Sequence, residues 1–493
     1  MRSNYIQFNR PQFRILSDKQ IEELHFATLQ ILERTGVAFQ CEEALEILGS
    51  AGADVTNSDR VKIPAHLVER ALSIAPKMVT FYTREGKPAI VLNGMTGSHF
   101  GAVPDLPGYL DPYTRKRRQC YIDDIADMVR LIDALPNVEW LLLGTSQPTL
   151  PAEITDKVSL LQVILNTSKP IMGEINDAAS LREMIAFCSI VAGSEEQFLK
   201  KPFFIGSCEP VSPLVHGKDA MEKSLLCAEK GLPCVVYGMP MAGATAPATF
   251  AGCLAIANAE VLSQLVVLQL KNPGTPVIYG SIPSIMDMRT TIYSYGAPEL
   301  AFMGAAITEV CHYYKLPMFG VAGSTDAKVI GVQTGAEVTY EILASALAGM
   351  DLVRSACFLY NAKVGSPEMI VLGNEIADMV KVMISGIEIN EETLPLELIE
   401  RLGPKSNYLL ESHTMKHFRK FWAPKIFDRS PGSKEDAKPA EDLLNQRTIE
   451  ILETHQPNPL PEDLVKELKK VEKTWFDRVG LKHEYPKRKR EGQ

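Results

Sequence analysis

The chain has 493 residues, 46% hydrophobic and 23% charged, with a formal net charge of −9. That is room for one large or two ordinary domains with a substantial core, in the composition range of a soluble globular enzyme. The acidic balance argues against a duplex-binding protein, which needs a basic face for the phosphates, and no uninterrupted apolar stretch is long enough to span a bilayer.

The first residues lack the apolar core of a signal peptide. The nine cysteines include no Cys-x-x-Cys pair, and several sit inside apolar runs. That pattern predicts buried, reduced thiols and a cytoplasmic location.

In chain order, Ile21, Leu24, Thr28, Leu29, Ile31 and Leu32 recur near helical spacing and Gly36 supplies a stop, which predicts an amphipathic helix over 18–36. Short helices are predicted over 42–50 and 64–74. Residues 78–113 read as β-rich, with runs at 79–82, 89–92, 98–101 and 108–110. Residues 1–118 are thus expected to form a helical and β cap.

From residue 119 a rhythm sets in. Helix 122–134 precedes a strand at 140–144, helix 156–166 one at 170–174, and helix 178–192 one at 203–206. Helix 217–230 precedes a strand at 234–237, helix 247–270 one at 277–279, helix 297–314 one at 318–320, and helix 333–349 one at 352–353. The strands are continuous apolar runs rather than alternating ones, as in sheets buried on both faces. Several begin at a proline turn: Lys169-Pro170, Lys201-Pro202, Leu232-Pro233, Thr275-Pro276 and Leu316-Pro317.

Seven strand–helix units at this spacing predict an α/β fold, a TIM (β/α)8 barrel over 119–390, with its eighth strand at 98–103 or at 369–372. A doubly wound open sheet is the alternative, disfavoured because no strand is followed by Gly-x-Gly-x-x-Gly. Helices over 374–386, 394–402, 441–454 and 461–476 lead into a C-terminal helical extension, 391–493. The basic run Lys487-Arg488-Lys489-Arg490 reads as a solvated tail.

The sequence holds no Walker A loop, no His-Glu-x-x-His, no Cys/His cluster at zinc spacing and no Gly-x-Ser-x-Gly. The Asp-x-His-x-x-Gly pattern of proteins that hold cobalamin through a histidine is also missing. In a parallel barrel the site lies at the C-terminal ends of the strands. Those ends carry Gln147, Glu174, Glu209 with Ser212, Tyr237 with Met239, Tyr279 with Asp287 and Arg289, Asp326 with Lys328, and Arg354 with Phe358 and Tyr360. Each also has a plainer role open to it. Met239 can fill core, Asp287 can cap a turn or pair with Arg289, Glu174 and Arg354 can be structural charges, and Lys328 can be loop surface. His216 reads as a surface residue at a helix start.

Six segments occur in order, each at a strand end. They are Val211-Ser212-Pro213-Leu214, the stretch Gly238 to Pro247, Ala257 to Val261, Met286-Asp287-Met288-Arg289, Tyr295-Gly296-Ala297-Pro298-Glu299, and Ser324-Thr325-Asp326-Ala327-Lys328 with Gln333. Together, over roughly residues 10–400, they resemble the trimethylamine methyltransferase family. The resemblance implies a TIM barrel that moves a methyl group from a methylated amine to a corrinoid protein. It implies that cobalamin is not bound tightly here but presented by that partner at the C-terminal face, with no nucleic acid or membrane involved and self-association left open.

Founding members carry pyrrolysine in the loop that resembles 324–333, and this chain has none. It is similar to the non-pyrrolysine branch, which implies a quaternary amine: glycine betaine first, then proline betaine, carnitine or γ-butyrobetaine. Where the family commonly has His-Asp, this chain has Arg354-Ser355.

A quaternary ammonium already leaves as a neutral tertiary amine. Its attack by Co(I) needs positioning and dryness rather than a general acid or base, so no catalytic residue and no metal ligand is assigned. The expected substrate contacts are Glu209, Tyr237, Asp287, Lys328, Arg354, Phe358 and Tyr360. Glu209, Tyr237, Phe358 and Tyr360 are assigned to the ammonium, and Arg354 or Lys328 to the carboxylate. Gln147, Ser212 and Met239 are expected to face the corrinoid. Two other classes compete: a Schiff-base lyase or aldolase using Lys328, and a non-catalytic methylamine-binding protein that docks a corrinoid protein.

Overall fold

The computed structural model describes residues 13–94, 97–355, 357–432 and 438–488. The first residues, read above as lacking a signal-peptide core, lie outside them, as do Lys489 and Arg490.

Eight parallel strands close a barrel in chain order: β1 His99–Ala102, β2 Trp140–Leu143, β3 Ile171–Gly173, β4 Phe204–Cys208, β5 Cys234–Gly238, β6 Val277–Ser281, β7 Met318–Val321 and β8 Leu352–Arg354. The ring closes where Arg354 pairs with Gly101. The helices that follow the strands are α1 Ile122–Ala134, α2 Ala152–Asn166, α3 Ala178–Ala192, α4 Lys218–Lys230, α5 Phe250–Lys271, α6 Pro298–Tyr313, α7 Val332–Ala348 and α8 Pro367–Ile384.

Of the two segments expected for the eighth strand, 98–103 takes the place, and it comes first. The barrel therefore begins before residue 119, and a boundary there would cut β1 from both neighbours. The rival run, Met369 to Leu372, is helical. Pro367 opens α8, and Ser366 Oγ caps it by accepting from Met369 N at 3.3 Å.

Aromatic rings fill the barrel, and glycines on neighbouring strands make room for them. A Cβ on Gly101 would lie 2.3 Å from the Trp140 ring, and one on Gly280 would lie 2.5 Å from Tyr237 Cβ. The Phe319 ring meets Tyr237 edge-on at 4.9 Å and Trp140 at 6.1 Å. At the N-terminal end of the strands, Lys169 Nζ donates to the carbonyls of Ile132, Leu135 and Val138 at 2.6, 2.8 and 2.6 Å, closing the end of α1.

The N-terminal helix, Asp18–Gln30, starts in a capping box between Ser17 and Gln20 and lies on α5. Its buried His25 places Nδ1 3.0 Å from Tyr314 Oη. Asn258 Nδ2 donates to the same oxygen at 2.8 Å, and Tyr279 Oη donates to Asn258 Oδ1 at 2.9 Å. A polar thread thus runs from the N-terminal helix to β6.

Helix α5 is the one described helix long and apolar enough to cross a membrane, and 83% of its apolar window is buried inside the protein.

Two surface expectations fail. His216 is fully buried, stacked on Phe39 with ring centroids 4.6 Å apart. Its Nε2 lies 2.8 Å from Ser263 Oγ, and burial depresses its pKa to about 3. Arg488 is not solvated tail. Its guanidinium lies 2.7 Å from Asp127 and 3.4 Å from Asp124, because α1 offers an acidic face that a basic terminus can neutralise.

Candidate active site

Chain direction puts the first residue after β3, Glu174, and the first after β4, Glu209, on the same rim. Tyr237, the fourth residue of β5, points into the barrel beside them. Tyr237 Oη lies 3.0 Å from Glu174 Oε1 and within hydrogen-bond reach of Glu209 Oε1. The ring is buried, while both glutamates keep part of their surface open at the mouth.

A phenol has one proton to donate. Two carboxyl groups at one phenol oxygen are therefore satisfied only if one of them carries a proton of its own. Glu209 is the one whose surroundings favour the proton. Burial, and then the charge of Glu174, push its pKa up to about 7, against the opposing pull of the Tyr237 hydrogen bond, Lys223 and Arg354. Burial, then the neighbouring Glu174 and Glu209, hold the Tyr237 hydroxyl well above its ordinary pKa, so it stays a donor.

A third carboxyl stands behind this pair. Asp105, just past β1, is fully buried and accepts from Gly144 N at 2.7 Å; among the described residues its other oxygen has no hydrogen-bond partner. Burial, with Glu174 adding to it, raises its pKa to about 8.

Arg354 ends β8. In-register pairing with Gly101, whose α-carbon faces the Trp140 ring, turns the arginine inward. It is 7% exposed, yet among the described residues its Nε has no hydrogen-bond partner and its Nη2 reaches only Tyr295 Oη, at 3.4 Å. Burial works against its charge, but Tyr295, Tyr237 and Glu174 outweigh it and the pKa stays above the ordinary arginine value.

Two rings flank the guanidinium, with centroids 6.0 Å (Tyr295) and 5.9 Å (Phe358) from Cζ. The rings meet each other edge-on at 5.3 Å. Tyr295 arrives from a hairpin beyond β6, strands Ser284–Asp287 and Ile292–Tyr293. Asp326, beyond β7, clamps that hairpin by accepting from Ser294 Oγ at 2.5 Å and Tyr295 N at 2.9 Å.

The sequence-derived candidates divide accordingly. Glu209 and Tyr237 come together with Glu174, and Arg354 with Phe358. Asp287 instead holds the hairpin turn, accepting from Arg289 N at 2.8 Å. Tyr279 points away from the barrel axis to Asn258.

Lys328 and Tyr360 meet each other, not the carboxylates. Lys328 is exposed, with Nζ 5.3 Å from the Tyr360 centroid, and Lys363 and Arg117 approach the same ring at 4.9 and 5.7 Å. A ring already faced by three cations is not placed to receive an ammonium. An exposed lysine also lacks the desolvated pocket that activates a Schiff-base amine.

Gln147 is buried and does not face outward. It accepts from Thr149 N and Leu150 N at 3.0 and 3.2 Å and donates to Cys120 O at 3.2 Å, spending its amide on its own loop and on the segment before α1. Ser212 Oγ donates to Glu260 Oε2 at 2.9 Å, and Met239 is half-buried against the core.

Two residues of the cluster escaped the sequence reading. Asp105 follows a strand that was only half recognised. Tyr295 comes from a hairpin, although it sits in a segment that carried the family resemblance.

A profile of the family described as trimethylamine methyltransferase (MTTB) matches residues 1–474. The chain is 32% identical over 475 residues to the trimethylamine methyltransferase MttB of Desulfitobacterium hafniense strain DSM 10664 / DCB-2, covering 94% of each. It is 30% identical over 430 residues to the glycine betaine methyltransferase of Desulfitobacterium hafniense strain Y51, covering 85% of this chain and 88% of the relative. Among solved structures, the monomethylamine methyltransferase (MtmB) of Methanosarcina barkeri shares the fold, with a TM-score of 0.52 at 11% identity over 95% of this chain and 89% of that one. The chain belongs to the trimethylamine methyltransferase family.

Proposed function

We propose that this protein transfers a methyl group from a quaternary amine, glycine betaine foremost, to the Co(I) corrinoid of a partner protein. The observation that carries the reading is the buried Arg354 with unfilled donors, set in the same barrel mouth as the Glu174–Tyr237–Glu209 cluster. A buried cation without a hydrogen-bonded anion is costly, and a carboxylate on the ligand would relieve it. The carboxylates suit a trimethylammonium head, which offers no N–H and is held by charge and ring faces rather than by hydrogen bonds. The similarity to a glycine betaine methyltransferase supports the same substrate class.

The residues have no proton to move in the transfer itself, since the amine leaves neutral. Their work is orientation: Arg354 anchors one end, and Glu174 with Glu209 fixes the other so that a methyl group points out of the mouth. The partner's corrinoid supplies the Co(I) nucleophile. A cytoplasmic setting belongs to this reading, in keeping with nine cysteines that are all unpaired.

The test is anaerobic mixing with cob(I)alamin and a panel of glycine betaine, carnitine, γ-butyrobetaine and trimethylamine, following loss of the Co(I) spectrum. Turnover of a betaine and not of trimethylamine is expected. Binding of betaines without methylation of free cobalamin or of a corrinoid partner would make the protein a binding module.

A further inference from the structure

All nine cysteines are buried and unpaired, but three of them are not scattered. Cys208 at the end of β4, Cys227 in α4 and Cys234 at the start of β5 bring their Sγ atoms within 4.8 Å of one another. Cys120, Cys253 and Cys311 aim their thiols at backbone carbonyls, at 3.7, 3.7 and 3.2 Å. The three clustered thiols instead face each other. Gly206 keeps the space open, since a Cβ there would stand 3.3 Å from Cys227 Sγ.

Among the described residues no histidine or carboxylate completes the group. Of the nearest polar side chains, Ser224 Oγ is engaged with Ala220 O at 2.8 Å and with Gln264 Nε2 at 2.5 Å, and Lys223 Nζ donates to Ile175 O at 2.5 Å.

We propose that Cys208, Cys227 and Cys234 form a trithiol site for a three-coordinate thiophilic ion of the trivalent arsenic class. The choice follows from coordination number and charge. Zinc takes four ligands in a closed site and would leave a net negative complex. Cu(I) is soft enough, but with three thiolates it leaves two negative charges in a dry layer. Arsenous acid, As(OH)3, reacts with three thiols without changing charge. Three As–S bonds form, three As–O bonds break, and each thiol proton leaves with a hydroxide as water; nothing is oxidised or reduced.

The site lies on the helix side of the barrel wall. Cys208 directly precedes Glu209, and Cys234 shares β5 with Tyr237. An arsenic bridge would tie β4 to β5 beneath that pair, so trivalent arsenicals should also inhibit turnover without occupying the mouth.

The test uses the reduced full-length protein and arsenite under anaerobic conditions. Native mass spectrometry should show one arsenic gained and three hydrogens lost. X-ray absorption should show three sulfur neighbours and no oxygen. Cys227→Ala and Cys234→Ala should each weaken binding more than about tenfold, while Cys188→Ala, a buried thiol outside the cluster, should bind as the parent does. An arsenic with two sulfurs and an oxygen, equal binding by Cys227→Ala, or no uptake by the folded parent would overturn the proposal. The absorption measurement on the parent decides the matter even if both variants fail to fold.

Discussion

Arg354 Nη2 stands 3.4 Å from Tyr295 Oη, the only hydrogen-bond contact of that buried guanidinium among the described residues. So loose a tether leaves the arginine free to take a carboxylate. Arg354→Met should therefore cost betaine turnover about 2–5 kcal/mol, roughly 30-fold to several-thousand-fold in kcat/KM. Choline or tetramethylammonium, which lack the carboxylate, should lose far less if they are accepted. Equal losses on both kinds of substrate would mean that Arg354 only balances the charge of Glu174 and Glu209.

The proton shared around Tyr237 gives substrate binding a pH dependence. Below pH 7 Glu209 is protonated and neutral; above it the carboxylate is free to face an ammonium. Affinity for a quaternary amine should rise as pH goes from about 6 to 8 and then level off. Binding near pH 7 should release a fraction of a proton, read by calorimetry in buffers of different ionisation enthalpy. Glu209→Gln should abolish both the release and the slope.

Glu260 on α5 makes a prediction about stability. It is fully buried, accepts from Ser212 Oγ and Leu214 N at 2.9 Å each, and has a pKa raised by burial to about 7. A carboxyl raised on folding holds its proton more tightly in the folded state. Its stabilising contribution is thus complete below its unfolded pKa and is lost as pH climbs through 7. By pH 8 the loss approaches about 3 kcal/mol. Glu260→Gln should flatten the decline in urea stability between pH 5 and 8 relative to the parent. A variant whose decline matches the parent's would show that Glu260 ionises freely.

Gly280 should tolerate no side chain. Its Cβ would meet Tyr237 Cβ at 2.5 Å and Phe319 Cδ1 at 3.0 Å, neither of them the tip of a flexible chain. Gly280→Ala should cost about 1–3 kcal/mol by overpacking. It should also displace the Tyr237 hydroxyl from its carboxyls, lowering amine affinity. An unchanged melting temperature would refute the packing argument.

The barrel was legible because parallel strands buried on both faces leave apolar runs such as Trp140 to Leu143, and the helices between them keep their own period. The two ambiguous segments were ambiguous for physical reasons. His99-Phe100-Gly101-Ala102 looks weak as a strand because Gly101 yields its side-chain volume to Trp140. Met369 to Leu372 looks like a strand because α8 is buried nearly all round at its start.

In the candidate site, Glu209, Tyr237 and Arg354 were legible as strand-end residues because they lie on strands or one residue past them. Tyr295 could not, since its place depends on Asp326 drawing a hairpin back over the mouth. Lys328 and Tyr360 misled because a strand end fixes where a residue starts, not the direction its loop takes.

The thread from His25 through Tyr314 and Asn258 to Tyr279 bears on how far the molecule can be cut down. Deleting the first helix would do more than bare an apolar patch on α5. It would strip Tyr314 and Asn258 of buried partners directly behind β6, the strand that faces Tyr237 through Gly280. A minimal enzyme built from the eight strands and their helices alone would thus inherit a defect on the far side of the wall from its substrate. The N-terminal helix is better regarded as the back plate of the candidate site than as a removable cover.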